Sequence, residues 1–471
     1  MSDATTLERT PKGPTMKAKS PDFVSTTNAC KLCTPLGASI VFRGIEGAIP
    51  FLHGSQGCAT YMRRYIISHF REPIDIASSS LGEKQAIYGG GPNLKQGLLN
   101  VMKKYEAKMV GIATTCLTET IGDDVAMLLH EFKQEFGDLD LPDLVHVSTP
   151  SYSGSHMEGF QAAVKAVCDQ MPLPVSAENP KHAGVNLLSG FVSPEDIRNA
   201  RDIFERFGLP VTILPDYSET LDGEIVDDYQ KLPPGGTPLA SLKAMGAARA
   251  TVEFGATLHP DNSGAKVLHD KFGVPGYRLS TPIGLRASDA FFETLQEISG
   301  QPLPARYAHE RGRFLDALVD GHKYISGKRA VVYGEEELVV GLTGLLAEIG
   351  IVPVLVASGG NSGLLKEKIA EACGDLLKEL PDVRPNIDFF EIENETKALK
   401  PDLILGNSKG HRIARDAGAP LIRVGFPIHD RFGAARMPHL FYTGTQSLFD
   451  RIVNAIIEKR QADNPLGWSY V

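Results

Sequence analysis

Short apolar runs, each closed by a turn of small polar residues and followed by an amphipathic stretch, recur along the chain. Met109–Ala113 runs into Thr114-Thr115-Cys116. Val185–Leu188 leads into Ser189-Gly190 and a helix start at Pro194-Glu195-Asp196. Val211–Leu214 ends at Pro215-Asp216, and Ala330–Gly334 precedes a stretch rich in Leu and Val. Val352–Val356 runs into Ala357-Ser358-Gly359-Gly360, and Leu403–Gly406 into Asn407-Ser408. Strands of this kind alternating with helices predict an α/β architecture of parallel, doubly wound sheets, repeated as Rossmann-like domains. No repeat is visible in the letters themselves. The stretch from Met171 to Pro180 reads as a linker, Leu232–Thr237 as an internal loop, and Ser326-Gly327-Lys328 as the opening of the last domain. The expected plan is a flexible arm over 1–28, Rossmann-like domains at 29–178 and 183–300, a helical connector at 301–324, and a third Rossmann-like domain with the C-terminal segment at 325–471.

A chain of 471 residues exceeds a single ordinary core, in keeping with several domains. Charged residues make up 22% and the net charge is −9, which argues against a general nucleic-acid binder. No apolar run approaches the length of a membrane span. The first twenty residues, with Asp3 and Glu8 among Ser, Thr, Lys and Pro, lack the pattern of a secretory signal or a transit peptide. Six cysteines are too few for a disulfide framework, so a reducing cytoplasm is expected.

Three of those cysteines lie in runs of small and polar residues: Cys33 in Cys33-Thr34-Pro35-Leu36-Gly37-Ala38, Cys58 in His53-Gly54-Ser55-Gln56-Gly57-Cys58, and Cys116 directly after an apolar strand. Thiolates on loops are the means by which chains hold iron–sulfur clusters, whereas inert buried cysteines are common, and spacing alone leaves both readings open. Ser151 follows the apolar run at Val145–Val147 as Cys116 follows its own, so one sheet can aim both side chains at one place. Cys30-Lys31-Leu32-Cys33 is a C-x-x-C pair without two further ligands at zinc spacing. Gly89-Gly90-Gly91 lacks the third glycine of a dinucleotide loop, and Gly327-Lys328 is followed by arginine, so nucleotide binding by this chain is not expected. His53, His69 and His156 read as hydrogen-bonding loop or core histidines. Arg63, Arg64 and Arg71 form a local positive cluster, either a solvated helix face or a field that would stabilise anionic sulfur. Asp316 and Asp320 share a helix face, either a solvated acidic face or half of a cation site.

Taken in order, these segments resemble the β-type subunits of nitrogenase component 1 and its relatives. The runs that carry the resemblance are the Cys33 and Cys58 segments, His69-Phe70-Arg71-Glu72-Pro73, Thr114 through Asp124, Thr149 through His156, Gly406-Asn407-Ser408-Lys409-Gly410, and Arg423 through Arg431. The resemblance spans about residue 30 to the C-terminus. It implies three Rossmann-like domains and an α2β2 heterotetramer with an α-type subunit that carries the large active-site cofactor. It implies an iron–sulfur cluster at the αβ interface, with Cys33, Cys58 and Cys116 as ligands, Ser151 as an oxygen ligand and Tyr61 as a neighbouring aromatic. Tyr88 matches an aromatic where an ATP-dependent iron protein docks. Arg71, Glu72, Asp316 and Asp320 match a divalent-cation site between two β subunits. The full cysteine set with Ser151 favours an electron-relay subunit with an 8Fe-7S P-cluster, in a nitrogenase or a nitrogenase-like reductase of another substrate such as methylthio-alkanes. Lys31-Leu32-Cys33 and Leu214 through Gly223 also read like N-type scaffolds for iron–molybdenum cofactor biosynthesis, which would hold a 4Fe-4S cluster at the same place.

Overall fold

The computed structural model describes residues 30–228 and 230–465; the arm expected over 1–28 lies outside the described residues. Each predicted apolar run forms a strand. The first sheet contains β1 (Ala48–His53), β2 (Ala77–Ser78), β3 (Met109–Thr114) and β4 (Asp143–Val147), in spatial order β2-β1-β3-β4. The second contains β5 (Val185–Leu188), β6 (Val211–Leu214), β7 (Ala250–Phe254) and β8 (Gly276–Leu279), in order β6-β5-β7-β8. The third contains β9 (Arg329–Gly334), β10 (Val352–Ser358), β11 (Asp382–Arg384), β12 (Leu403–Gly406) and β13 (Leu421–Arg423), in order β11-β10-β9-β12-β13. Every pairing between these strands is parallel. Parallel strands need helical crossovers, and the helices cover both faces. Accordingly all residues of β1, β3, β5, β7 and β12 are buried. In each sheet the strand order reverses beside the first strand, which opens a crevice at the carboxyl ends.

Three strands carry a residue that is unusual inside a sheet. β1 contains Pro50, which pairs with Gly111 and precedes the start of the β2 ladder at Phe51, so its missing N–H takes nothing from that short pairing. β7 carries Glu253 near its end. The buried carboxylate is satisfied by the Ser263 hydroxyl and by the Gly264 N–H at 2.9 Å. β10 contains Pro353, and its register against β9 shifts between Pro353 and Leu355, the local irregularity that lets a proline enter a sheet.

One apolar core runs continuously beneath all three sheets, with smaller clusters under the first and the third. The helix Ala305–Ile325 packs against the last helix, Phe441–Asp463, which also returns across the helix Leu285–Ser299. No helix among the described residues is long and apolar enough to cross a membrane.

The helix Thr34–Arg43 is buried all round and crosses the helix His156–Gln170 at unusually close range. A Cβ on Gly37 would lie 1.8 Å from the His156 carbonyl oxygen, and one on Gly159 would lie 1.9 Å from that of Thr34. Only glycine permits this approach. It fixes the start of the first helix, and with it Cys33, against the segment that follows β4.

Candidate metal centre at the carboxyl end of the first sheet

Cys33 is the residue that caps the helix Thr34–Arg43, in extended conformation ahead of Pro35. The Thr34 N–H donates to Ser151 Oγ at 3.1 Å, and the Thr34 hydroxyl donates to the Pro150 carbonyl at 3.3 Å. Cys58 lies in the first turn of the helix Gln56–Phe70, just after β1, and the Ser55 hydroxyl reaches its sulfur at 3.5 Å. Cys116 opens the helix Cys116–Ile121 at the end of β3, and the Ser151 N–H donates to its sulfur at 3.2 Å. Ser151 therefore joins the Cys33 helix to the Cys116 loop, as the adjacency of β3 and β4 led us to expect. The β1 and β3 turns are also pressed together, since a Cβ on Gly54 would lie 2.2 Å from Thr115 Oγ1.

Cys33 feels the other two thiols. Burial raises the pKa of Cys33, hydrogen bonds from Ser151 and Tyr61 lower it, and the charges of Cys116 and Cys58 raise it again. Tyr61, whose own pKa burial raises, has a hydrogen bond with Cys33 and lies 4.7 Å from Tyr65, ring centre to ring centre. All three cysteines are free; Cys33 and Cys58 are half-buried and Cys116 is exposed. Cys168 and Cys373 are buried instead, and burial pushes their thiols up, that of Cys373 to about 11. Cys30 packs against the core of the third sheet, where burial first and the Glu335 charge next push its thiol up to about 12.

Among the described residues, no group of three or more His, Cys, Asp or Glu side chains is arranged to hold a single metal ion. The donor set fits a different group. Three free thiols presented by turns at one sheet end, one of them exposed, are the donor type that a polynuclear iron–sulfur cluster takes.

The histidines serve the scaffold. His53 is fully buried between Ser79 Oγ at 2.9 Å and Asp123 at 3.1 Å, and Asp123 also accepts the Gly90 N–H. This ties the Cys58 strand to the turn after Tyr88, which is exposed at the end of the helix Glu83–Tyr88. His69 accepts the Ile428 N–H at 3.0 Å, and burial lowers its pKa to about 3. His156 accepts the Leu32 N–H on one side of its ring and meets Glu335 at 3.1 Å on the other.

Two of the three clustered arginines are taken up by other groups. Arg63 donates to the Ile74 carbonyl and faces Asp75, while Arg71 donates to the His429 carbonyl at 3.0 Å. Glu72 has its pKa raised by burial and by the charge of Asp222, against the opposing charge of Arg43. Asp316 and Asp320 lie exposed on the helix Ala305–Ile325. No hydrogen bond or ion pair among the described residues joins them to Arg71 or Glu72, so one chain alone does not assemble that quartet.

Sequence reasoning assigned no role to Glu335-Glu336-Glu337, which follow β9. Each is buried and each ties down a different part of the molecule. Glu335 meets His156 of the first domain. Glu336 accepts the Ser362 N–H at 3.2 Å. Glu337 accepts the N–H groups of Ala256 and Thr257, both at 2.9 Å, and the Thr257 hydroxyl from beyond β7.

With the geometry in hand, comparisons with known proteins decide the family. The family of nitrogenase component 1 type oxidoreductases matches residues 33–457. The chain belongs to the nitrogenase component 1 family. It is a β-type member. It is 34% identical to the nitrogenase molybdenum-iron protein beta chain of Clostridium pasteurianum over 92% of this chain and 93% of that one. It is 32% identical to the nitrogenase iron-molybdenum cofactor biosynthesis protein NifN of Bradyrhizobium diazoefficiens, over 94% of this chain and 92% of that one. The solved structure "Nitrogenase Cp1 at pH 6.5" superposes with a TM-score of 0.91 at 32% identity, covering 99% of this chain and 98% of that one.

Proposed function

We propose that this nitrogenase-family subunit relays electrons from an ATP-dependent iron protein to a cofactor in an α-type partner, as the β-type half of an α2β2 heterotetramer. The observation that carries the reading is the convergence of Cys33, Cys58 and Cys116 with Ser151 at one exposed sheet end. Cys33, Cys58 and Cys116 would hold an interfacial iron–sulfur cluster of the 8Fe-7S type. When bound, such a cluster supplies one-electron redox chemistry at a potential tuned by charge, hydrogen bonding and exposure. Ser151 already orients both the Cys33 helix and the Cys116 sulfur, and its hydroxyl is a further oxygen donor at the site. Tyr61 would donate a hydrogen bond to the Cys33 sulfur. Tyr88, with Ile87 exposed beside it, offers an apolar tip for the iron protein. Arg71 and Glu72 of one copy would meet Asp316 and Asp320 of another around a divalent cation, which neutralises otherwise repelling carboxylates.

The similarity to NifN supports a second reading, a scaffold for cofactor biosynthesis with a 4Fe-4S cluster at the same cysteines. Iron analysis and EPR of the purified complex separate the two. About eight interfacial irons per β-type chain are expected for the relay and about four for the scaffold. A complex without iron would overturn both.

A further inference from the structure

Lys409 is a half-buried cation over the Tyr65 ring, with no carboxylate at ion-pair distance among the described residues. It sits in the turn Ser408–Gly410 after β12, in the crevice where the order of the third sheet reverses beside β9. The turn is held firmly. Asn407 Oδ1 accepts the Lys409 N–H at 3.1 Å, Asn407 Nδ2 donates to the Phe426 carbonyl at 3.0 Å, and Ser408 Oγ donates to the Pro427 carbonyl at 3.0 Å. The Gly410 backbone is pressed so close to the Tyr333 hydroxyl that no side chain fits there. From this fixed base the half-buried side chain reaches over Tyr65, with Nζ 5.7 Å from the ring centre. Tyr65 packs on Tyr61, and Tyr61 has its hydrogen bond with Cys33.

No carboxylate among the described residues lies within ion-pair distance of Lys409. The charges that reach it are those of Cys30, Cys33 and Glu335, and burial lowers its pKa against them. A partly desolvated ammonium without an anion is costly, and an aromatic face compensates it only in part. Arg63 and Arg71 are engaged elsewhere, with Ile74, Asp75 and His429. Of the thiols whose charge reaches Lys409, Cys30 first and Cys33 next, Cys33 is the one beside the Tyr61–Tyr65 pair.

We propose that Lys409 is a positioning residue for the iron–sulfur cluster, a fixed positive charge across the Tyr61–Tyr65 pair that favours the more negative, reduced state and so raises its midpoint potential. The inference rests on the cluster reading of Cys33, Cys58 and Cys116. Each one-electron reduction adds one negative charge at the cluster, and a nearby ammonium stabilises that charge.

The test uses the full chain purified with its partner subunit, with Lys409→Met and Lys409→Arg beside the wild type. Two quantities are read: iron per chain, and the cluster midpoint potential by EPR-monitored redox titration. The expected result is wild-type iron in both variants, a midpoint shifted to more negative potential in Lys409→Met, and a midpoint restored towards wild type in Lys409→Arg. An iron-loaded Lys409→Met with an unmoved midpoint overturns the inference and leaves the cluster reading intact. If Lys409→Met loses iron while Lys409→Arg keeps it, charge is needed for cluster retention and the inference stands. Loss of iron in both variants overturns it, since the lysine would then act through shape. A wild-type complex without iron overturns the cluster reading and this inference together.

Discussion

The carboxyl ends of the first and third sheets face the same junction and are built on the same plan, yet they treat their polar groups in opposite ways. At the third sheet, Glu335, Glu336 and Glu337 are buried and each is taken up by another part of the chain. At the first sheet, Cys33, Cys58 and Cys116 stay free and partly open to solvent. Buried polar groups that are saturated hold a fold together, whereas the crevice beyond the carboxyl ends of parallel strands is where ligands gather. The cysteines make the same contrast among themselves. Cys168 and Cys373 are sealed in apolar surroundings and inert, whereas the three at the sheet end are presented by turns.

Four variants bear on this contrast, ranked by their effect on stability. Glu337→Ala strands the N–H groups of Ala256 and Thr257 inside the protein and should lower stability by about 3 kcal/mol in denaturant unfolding. Iron per folded chain should not change; iron loss in step with unfolding would blur the division between the two ends. Asp196 belongs to the saturated class, accepting the N–H groups of His439 and Leu440 at 2.9 and 3.0 Å. Burial nevertheless raises its pKa from 3.8 to about 6. A carboxyl with a raised folded-state pKa contributes stability below its unfolded value, and that contribution is lost as pH rises through the folded one. The wild type should therefore lose up to about 1.4 kcal/mol per pH unit from this group between about pH 4 and 6. Asp196→Asn should flatten that slope in unfolding curves taken across the window, and an unchanged slope would reject the assignment.

Cys116→Ala acts at the open end. The side chain is exposed, so stability should stay within about 0.5 kcal/mol. Bound iron and electron-transfer activity should fall together, and full iron with full activity would remove Cys116 from the ligand set. The smallest effect belongs to the Asp316→Asn/Asp320→Asn pair. Relief of repulsion between carboxylates one turn apart should stabilise the chelator-treated protein by about 0.3 kcal/mol. A divalent ion found in the wild-type assembly by metal analysis should be missing from the double variant, and its persistence would reject these ligands.

Much of this was legible before any coordinates. The strand Met109–Ala113 running into Cys116, and the run at Val145–Val147 running towards Ser151, already placed two polar side chains beyond neighbouring strand ends, and the Ser151–Cys116 contact realises that placement. β1 escaped because Pro50 interrupts its pattern, and β7 because Glu253 reads as a solvent-facing residue until Ser263 and Gly264 close over it. The glutamate triplet carried no signal at all. Three acids before a helix look like a favourable helix start, and their partners lie as far as 179 residues away in sequence. Lys409 stood inside a quoted motif, but nothing local says that it reaches across to Tyr65.

The amino-acid order by itself determined the alternation of parallel strands and helices, the turns that present Cys33, Cys58 and Cys116, and the lack of a phosphate loop. These follow from local rules, apolar period and turn chemistry, that act over a few residues. Only the tertiary structure decided that Ser151 joins the Cys33 helix to the Cys116 turn, that Arg63 and Arg71 are taken up by Ile74, Asp75 and His429, and that Lys409 lies over Tyr65. Those outcomes depend on how separate sheets pack on a common core and on glycine contacts such as Gly37 against His156, and long-range packing of that kind leaves no mark on neighbouring letters.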